Sequence, residues 1–249
     1  MLNKGLRKRI IEQGMKYHHG HYGSAFSCLD AIKYLYDNIL EKNDNFILSK
    51  GHGYMALQVV LEERGKKVNW KLNHPDYDPD NGIDALTGSL GHGLAIGAGR
   101  AYGKKLKGED GNVYVLLGDG EIQGGPNWEA LILAKKLGLT NLVPIIDWNK
   151  YQAIGSVKDV VHETEETLVK KLNAFGFFTT VINGHKEDSL STFKYLRENL
   201  PNKLNAVILN TQKGYGMKFL EEHPSVHVLF LNEKPEVYKQ TLEDLTDDN

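Results

Sequence analysis

Apolar residues recur along the chain in two periods. Leu29, Ile32, Leu35, Tyr36 and Ile39 fall on one face of a helix predicted over Ser27–Leu40. Leu6, Ile10, Met15 and Tyr17, among basic residues, predict a surface helix over Leu2–Tyr17. Further helices are expected over Tyr54–Arg64, Asn127–Leu137, Thr164–Phe175 and Glu187–Asn199, with a short acidic one from Pro235. Pro126 near the start and Gly138 past the end punctuate the second of these. Short apolar runs predict buried strands at Asn45–Leu48, Asn112–Leu117, Leu142–Ile146, Phe177–Ile182 and Ala206–Asn210. Strand alternating with helix implies a doubly wound, mostly parallel α/β sheet with helices on both faces. No repeat or low-complexity linker divides the chain, so residues 1–249 are read as one domain.

Two stretches depart from the pattern. Val68–Thr87, with Pro75 and Pro79 among Asp and Asn residues, is expected to be a loop, and it carries His74. Loops of that length in a compact domain are usually functional or mobile. The helix opened by Thr87-Gly88-Ser89-Leu90-Gly91 bears Gly91, Gly93, Ala95, Gly97, Ala98 and Gly99, a nearly bare face. Each helical glycine costs about 1 kcal/mol relative to alanine. Close approach of another helix or of a cofactor is the expected compensation.

The strand ends carry the chemistry. Asn112–Leu117 runs into Gly118-Asp119-Gly120, and Leu142–Ile146 delivers Asp147 and Asn149. Carboxyl ends of parallel strands lie together on the ligand side of such a sheet. Asp119 and Asn149 would therefore present two hard oxygens to one crevice. Such a set suits Mg²⁺, which keeps waters and takes further ligands from phosphates. The glycines beside Asp119 permit a sharp turn and close approach of a phosphate. Taken alone, Gly-Asp-Gly is a common turn.

Order, spacing and strand context give the motif its meaning: it resembles the metal motif of thiamine diphosphate enzymes. The resemblance extends over nearly the whole chain to the cofactor-diphosphate half of transketolase, in Gly20-His21-Tyr22-Gly23, Leu48-Ser49-Lys50-Gly51-His52, His74-Pro75-Asp76, Thr87-Gly88-Ser89-Leu90-Gly91, Lys213-Gly214-Tyr215-Gly216 and Val226-His227. It implies a thiamine diphosphate-binding fold and a split transketolase, a transferase moving a two-carbon ketol unit from a ketose or ketose phosphate to an aldehyde. Asp119, Asn149 and the Tyr151 carbonyl would hold Mg²⁺. His52 and His227 would contact the diphosphate, with Gly88, Leu90, Gly118 and Gly120 along the cofactor. His21, His74 and His227 would serve catalysis, the first two facing substrate oxygens. A glutamate from a separate C-terminal, pyrimidine-binding subunit would activate the cofactor, so the chain is expected to be silent alone and to work in a two-plus-two heterotetramer. Glu129 matches a family glutamate near the subunit interface.

Three positions depart from the family. Gly124 stands where a glutamate of the intersubunit carboxylate network is usual, Tyr22 replaces a proline near the substrate entrance, and Val228 follows the last-loop histidine where glycine is usual. Two other readings stay open: the corresponding chain of a 2-oxo acid dehydrogenase or decarboxylase, and a non-catalytic, cofactor-binding subunit.

Composition narrows the partners. A net charge of −2 gives no electrostatic case for nucleic acid or an anionic membrane. No apolar run approaches transmembrane length or a signal segment. The single cysteine, Cys28, excludes an internal disulfide and fits a reducing compartment, so a cytoplasmic protein is expected.

Overall fold

The computed structural model describes residues 1–246. Its elements in order are α1 (Lys4–Tyr17), α2 (Tyr22–Asn38), β1 (Asn45–Leu48), α3 (Tyr54–Glu63), α4 (His92–Lys107), β2 (Val113–Gly118), α5 (Gly125–Leu137) and β3 (Leu142–Trp148). There follow a small antiparallel hairpin of β4 (Tyr151–Gln152) and β5 (Gly155–Ser156), then α6 (Val157–Val161), α7 (Glu165–Ala174), β6 (Phe178–Asn183), α8 (Glu187–Leu190), α9 (Thr192–Asn199), β7 (Asn205–Asn210), α10 (Lys218–Glu222) and α11 (Pro235–Thr246).

Five strands form one sheet in the order β1-β2-β3-β7-β6, every pair parallel. Successive strand residues point to opposite faces, and the two faces bury different partners. Phe46, Leu48, Tyr114, Leu116, Val143, Ile145, Val207 and Leu209 join the core beneath α1, α2 and α3. Ile47, Val113, Val115, Leu117, Leu142, Ile146, Ala206 and Ile208 join the core beneath α4, α5 and α7. The sheet is therefore covered on both sides, as the near-continuous apolar strands require.

Several boundaries move for physical reasons. α2 begins at Tyr22, five residues before the predicted start, because its first turns are buried all round and show no amphipathic stripe. The predicted helix over Glu187–Asn199 is two helices with Ser191 between them. The glycines of α4 need a correction. A Cβ on Gly93 would lie 2.8 Å from Ser49 Cα, and one on Gly97 would strike the Val115 side chain, so these two admit the helix against its own sheet. Gly91 abuts Asn127 and Pro126 at the start of α5, while Gly99 faces open space. Most of the compensation for the bare face thus comes from inside the chain.

Tyr22 is also corrected. Its side chain is fully buried, lying over Gly14 of α1, where a Cβ would come 2.6 Å from the ring. It shapes the packing of α1 on α2, not the substrate entrance. No helix of the described residues is long and apolar enough to cross a membrane.

Candidate cofactor site at the carboxyl ends of the strands

The chain leaves β1, β2, β3 and β7 on the same side of the sheet, and those exits surround a cavity of about 230 Å³. Every predicted site residue lines it: His21, His52, His74, Gly88, Leu90, Gly118, Asp119, Gly120, Asn149, Tyr151 and His227.

Asp119 follows β2 and is 3% exposed. Its Oδ1 accepts from the Gly120 amide at 2.8 Å and its Oδ2 from the Lys150 amide at 2.7 Å. The second bond depends on a turn in which Lys150 has φ 75°. That left-handed conformation costs a non-glycine residue of order 1 kcal/mol, and the Lys150 ammonium holds it by donating to Asn210 Oδ1 at 2.8 Å. The same turn brings Asn149 and Tyr151 beside Asp119, with the Tyr151 amide donating to Asn149 Oδ1 at 3.1 Å. Burial, helped by the charge of Asp147, pushes the Asp119 carboxyl up to about 7, against the pull of Lys50 and the two amides. A carboxylate so costly to ionise is suited to a cation. Among the described residues no group of three or more His, Cys, Asp and Glu side chains could hold a metal alone. One carboxylate, one amide oxygen and one carbonyl fit a Mg²⁺ whose other ligands are phosphate and water.

Four histidines form the mouth. Ring centroids lie 5.3 Å apart for His21 and His227, 5.8 Å for His21 and His52, 5.7 Å for His52 and His227, and 6.1 Å for His21 and His74. Each imidazole is driven towards its neutral form. Burial and then His227 push His21 down to about 4; burial and then Lys50 hold His52 well below the ordinary value; burial lowers His74; burial and then Lys213 lower His227. The long loop brings His74 in because Thr87 Oγ1 donates to the Leu48 carbonyl at 2.6 Å, pinning the loop to the end of β1. Gly51 and Gly88 then meet so closely that a Cβ on Gly51 would lie 3.0 Å from Gly88 Cα and from the His74 ring. Val228, the third departure, does not misplace His227. It packs over Gly20, whose carbonyl accepts from the Leu229 amide at 2.9 Å.

Beneath the mouth lies a floor to which the sequence motifs assign no roles. Lys50, fully buried, pairs with Asp147 and donates to the Ser24 carbonyl at 3.1 Å and to Ser27 Oγ at 3.4 Å. Asp147 also accepts from Ser27 and Thr211, each at 2.5 Å. Burial raises the Asp147 carboxyl, but Lys50 and these bonds outweigh it and keep the carboxylate charged. Glu121 accepts from Ser49 Oγ at 2.5 Å, the Gly91 amide at 2.9 Å and the Gly118 amide at 3.1 Å, which ties the exits of β1 and β2 to the start of α4. Lys213, beside His21 and His227 of the mouth, is also buried, and burial pushes its ammonium down to about 8, with Asp119 opposing. His185, to which no motif assigns a role, pairs through Nδ1 with Asp30 at 2.9 Å and accepts at Nε2 from the Gln212 amide at 3.0 Å, steadying the loop that bears Lys213. Lysines placed directly after strand ends and beside glycines are the sequence signal for Lys50 and Lys213.

Comparison with known proteins identifies the family and the fold. The family model described as transketolase, thiamine diphosphate binding domain, matches residues 3–241. The chain is similar to one of the subunits of apulose-4-phosphate transketolase from Phocaeicola vulgatus, 35% identical over 236 residues, covering 86% of this chain and 83% of that protein. It is similar also to the 6-deoxy-6-sulfo-D-fructose transketolase subunit SqwG of a Clostridium species, 30% identical over 260 residues, covering 96% and 93%. Among solved structures, transketolase from Leishmania mexicana superposes with a TM-score of 0.81 at 21% identity, and that from Campylobacter jejuni with 0.80 at 26%. Both superpositions take in 98% of this chain but only 44% and 42% of those proteins. On the family match and on identity to these transketolase subunits across most of both lengths, the chain belongs to the transketolase N-terminal, thiamine diphosphate-binding family.

Proposed function

We propose that this chain is one cofactor-binding domain, the diphosphate-binding subunit of a cytoplasmic split transketolase, joined in a two-plus-two complex by a C-terminal, pyrimidine-binding subunit. The observation that carries the reading is the convergence of Asp119, Asn149 and Tyr151 on one cavity with four neutral histidines at its mouth. Thiamine diphosphate would supply the nucleophilic carbon that takes up a two-carbon ketol fragment. Asp119, Asn149 and the Tyr151 carbonyl would hold Mg²⁺ against the diphosphate, and His52 and His227 would hydrogen-bond to it. Gly118 and Gly120 keep the backbone close, with Gly88 and Leu90 alongside. His21 and His74 would move protons at the hydroxyl and carbonyl oxygens of the sugar. A half-buried imidazole held neutral at working pH is ready to accept a proton. Two relatives are named for a phosphorylated and a sulfonated ketose, which supports a substrate ketose bearing a terminal anion.

Calorimetry tests the cofactor site. Asp119→Ala should lose Mg²⁺-dependent thiamine diphosphate binding while circular dichroism stays unchanged; an unaltered affinity overturns the reading. The split nature is tested by supplying the chain alone with cofactor, Mg²⁺, ketoses, ketose phosphates and an aldehyde acceptor. Ketol transfer without a second subunit would overturn the partner assignment.

A further inference from the structure

Two of the mouth histidines reach the cavity from opposite ends of the chain, and one contact sets their distance. His21 follows Gly20 at the turn from α1 into α2, and His227 precedes Val228 on the segment that runs from α10 back to α11. Successive residues of an extended segment point to opposite sides. Leu229 and Leu231 are buried in the core beneath α1, α2 and α3. Val228 and Phe230 alternate with them and straddle Gly20, where a Cβ would lie 2.5 Å from Val228 Cγ1 and 3.3 Å from the Phe230 ring. Between the two, the Leu229 amide donates to the Gly20 carbonyl at 2.9 Å. Further along, the Phe230 ring packs on His18 with centroids 5.1 Å apart, and Asn232 Nδ2 donates to the Met15 carbonyl at 3.3 Å.

The His227 imidazole makes no hydrogen bond among the described residues, so the backbone sets its place. On one side the Val226 amide donates to the His223 carbonyl at 3.0 Å, a turn that ties the segment only to the end of α10. On the other side the grip on Gly20 is the tie to α1 and α2. With it closed, the His227 ring stands 5.3 Å from His21 and 5.7 Å from His52. A glycine at 228, usual in the family, has no side chain with which to hold Gly20. Ordering a loop during binding costs affinity, and a loop already ordered is spared that cost.

We propose that Val228 is a positioning residue, which grips Gly20 and so fixes His227 against His21 before a ligand enters. Its value for binding rests on reading the cavity as the cofactor site, whereas the grip itself is tested without ligand. Burial, and then the charges of Lys213 and Lys50, hold the His227 imidazole below its ordinary pKa, and the His21 and His52 rings face it. In an NMR titration of the full chain, Val228→Gly should return the His227 pKa towards the ordinary value while circular dichroism stays unchanged. Val228→Ile, which keeps the grip, should titrate like the wild type. In calorimetry with Mg²⁺–pyrophosphate, Val228→Gly should bind about two- to tenfold more weakly, the size of one ordering cost, and Val228→Ile should match the wild type. Gly20→Ala, which drives a methyl group into Val228, should also weaken binding. Joined to Val228→Gly, it moves the methyl group to the other side of the contact, so the double variant should lose less than the product of the two single losses. An unmoved His227 titration in Val228→Gly overturns the proposal, as do wild-type pyrophosphate affinity in that variant and losses that simply multiply in the double variant. A wild type that takes up no pyrophosphate overturns the cofactor-site reading instead, and the His227 titration still decides the grip.

Discussion

The floor and the mouth of the cavity are built on opposite rules. In the floor each charged group has several partners: Lys50 and Asp147 bond each other and α2, Asp147 also bonds Thr211 after β7, and Glu121 bonds Ser49 after β1 and the Gly91 amide before α4. In the mouth four imidazoles stand more than 5 Å apart, ring to ring, and Ser24 Oγ and Lys213 Nζ are buried without hydrogen-bond partners among the described residues. A saturated network fixes geometry, whereas an unsaturated one keeps its hydrogen-bonding capacity for a ligand. The floor is thus built as a stability element, and the proposed function makes the unsaturated mouth the binding element beside it.

The sharpest way to break that division is to open the floor. Lys50→Met strands the buried Asp147 carboxylate and should cost about 3–5 kcal/mol, read from urea unfolding. Lys50→Met combined with Asp147→Asn should cost clearly less than the sum of the two single changes, since each partner alone is the problem. If Lys50→Met melts like the wild type, the floor is not structural.

A smaller effect separates glycines that look alike in sequence. Gly93→Ala, which pushes a methyl group into Ser49 at the floor, should destabilise by about 1–3 kcal/mol. Gly99→Ala, with nothing within 4 Å, should stabilise the isolated chain by about 0.5–1 kcal/mol. Equal melting temperatures for the two variants would contradict the packing of α4 on its own sheet.

The mouth should show itself in acid. His21 titrates near 4 when folded, because burial and then the His227, His74, His19 and Lys213 charges oppose its protonation, and near 6.5 when unfolded. Between those values the unfolded chain binds more protons, so stability should fall as pH drops from about 6.5 towards 4. His21→Gln should flatten that slope by up to one proton, measured as melting temperature against pH; an unchanged slope would show that His21 is not held neutral. The smallest expected effect concerns Cys28. Burial pushes its thiol up to about 12, so a maleimide should leave the native chain unmodified and label it once unfolded.

The mouth is legible in the sequence and the floor is hidden there. Gly118-Asp119-Gly120, Asn149 and the histidines sit beside glycines at strand ends, and strand topology alone brings such residues together. The Lys50–Asp147 pair joins the loop after β1 to β3; Lys50, beside Gly51, carries only the signal of a lysine near a strand end, and Asp147 carries none. The apolar pattern stops at Ile146, yet Asp147 is inside β3, facing α2 through Ser27. The glycines of α4 carry a real signal of close approach, but composition does not say which neighbour approaches. Tyr22 looks like a residue of the entrance because it follows His21; one position along a helix turns the side chain by about 100°, enough to send it into the core.

The order of strands sets a timetable for synthesis. β7 lies between β3 and β6 but is the last strand of the sheet to be made. Until it emerges from the ribosome, β3 and β6 have no strand between them, and both present open backbone edges that pair readily with other chains. The insertion that closes those edges also delivers Thr211 to Asp147 and Lys213 to the cavity. A nascent chain that can bind pyrophosphate has therefore already passed its most aggregation-exposed stage.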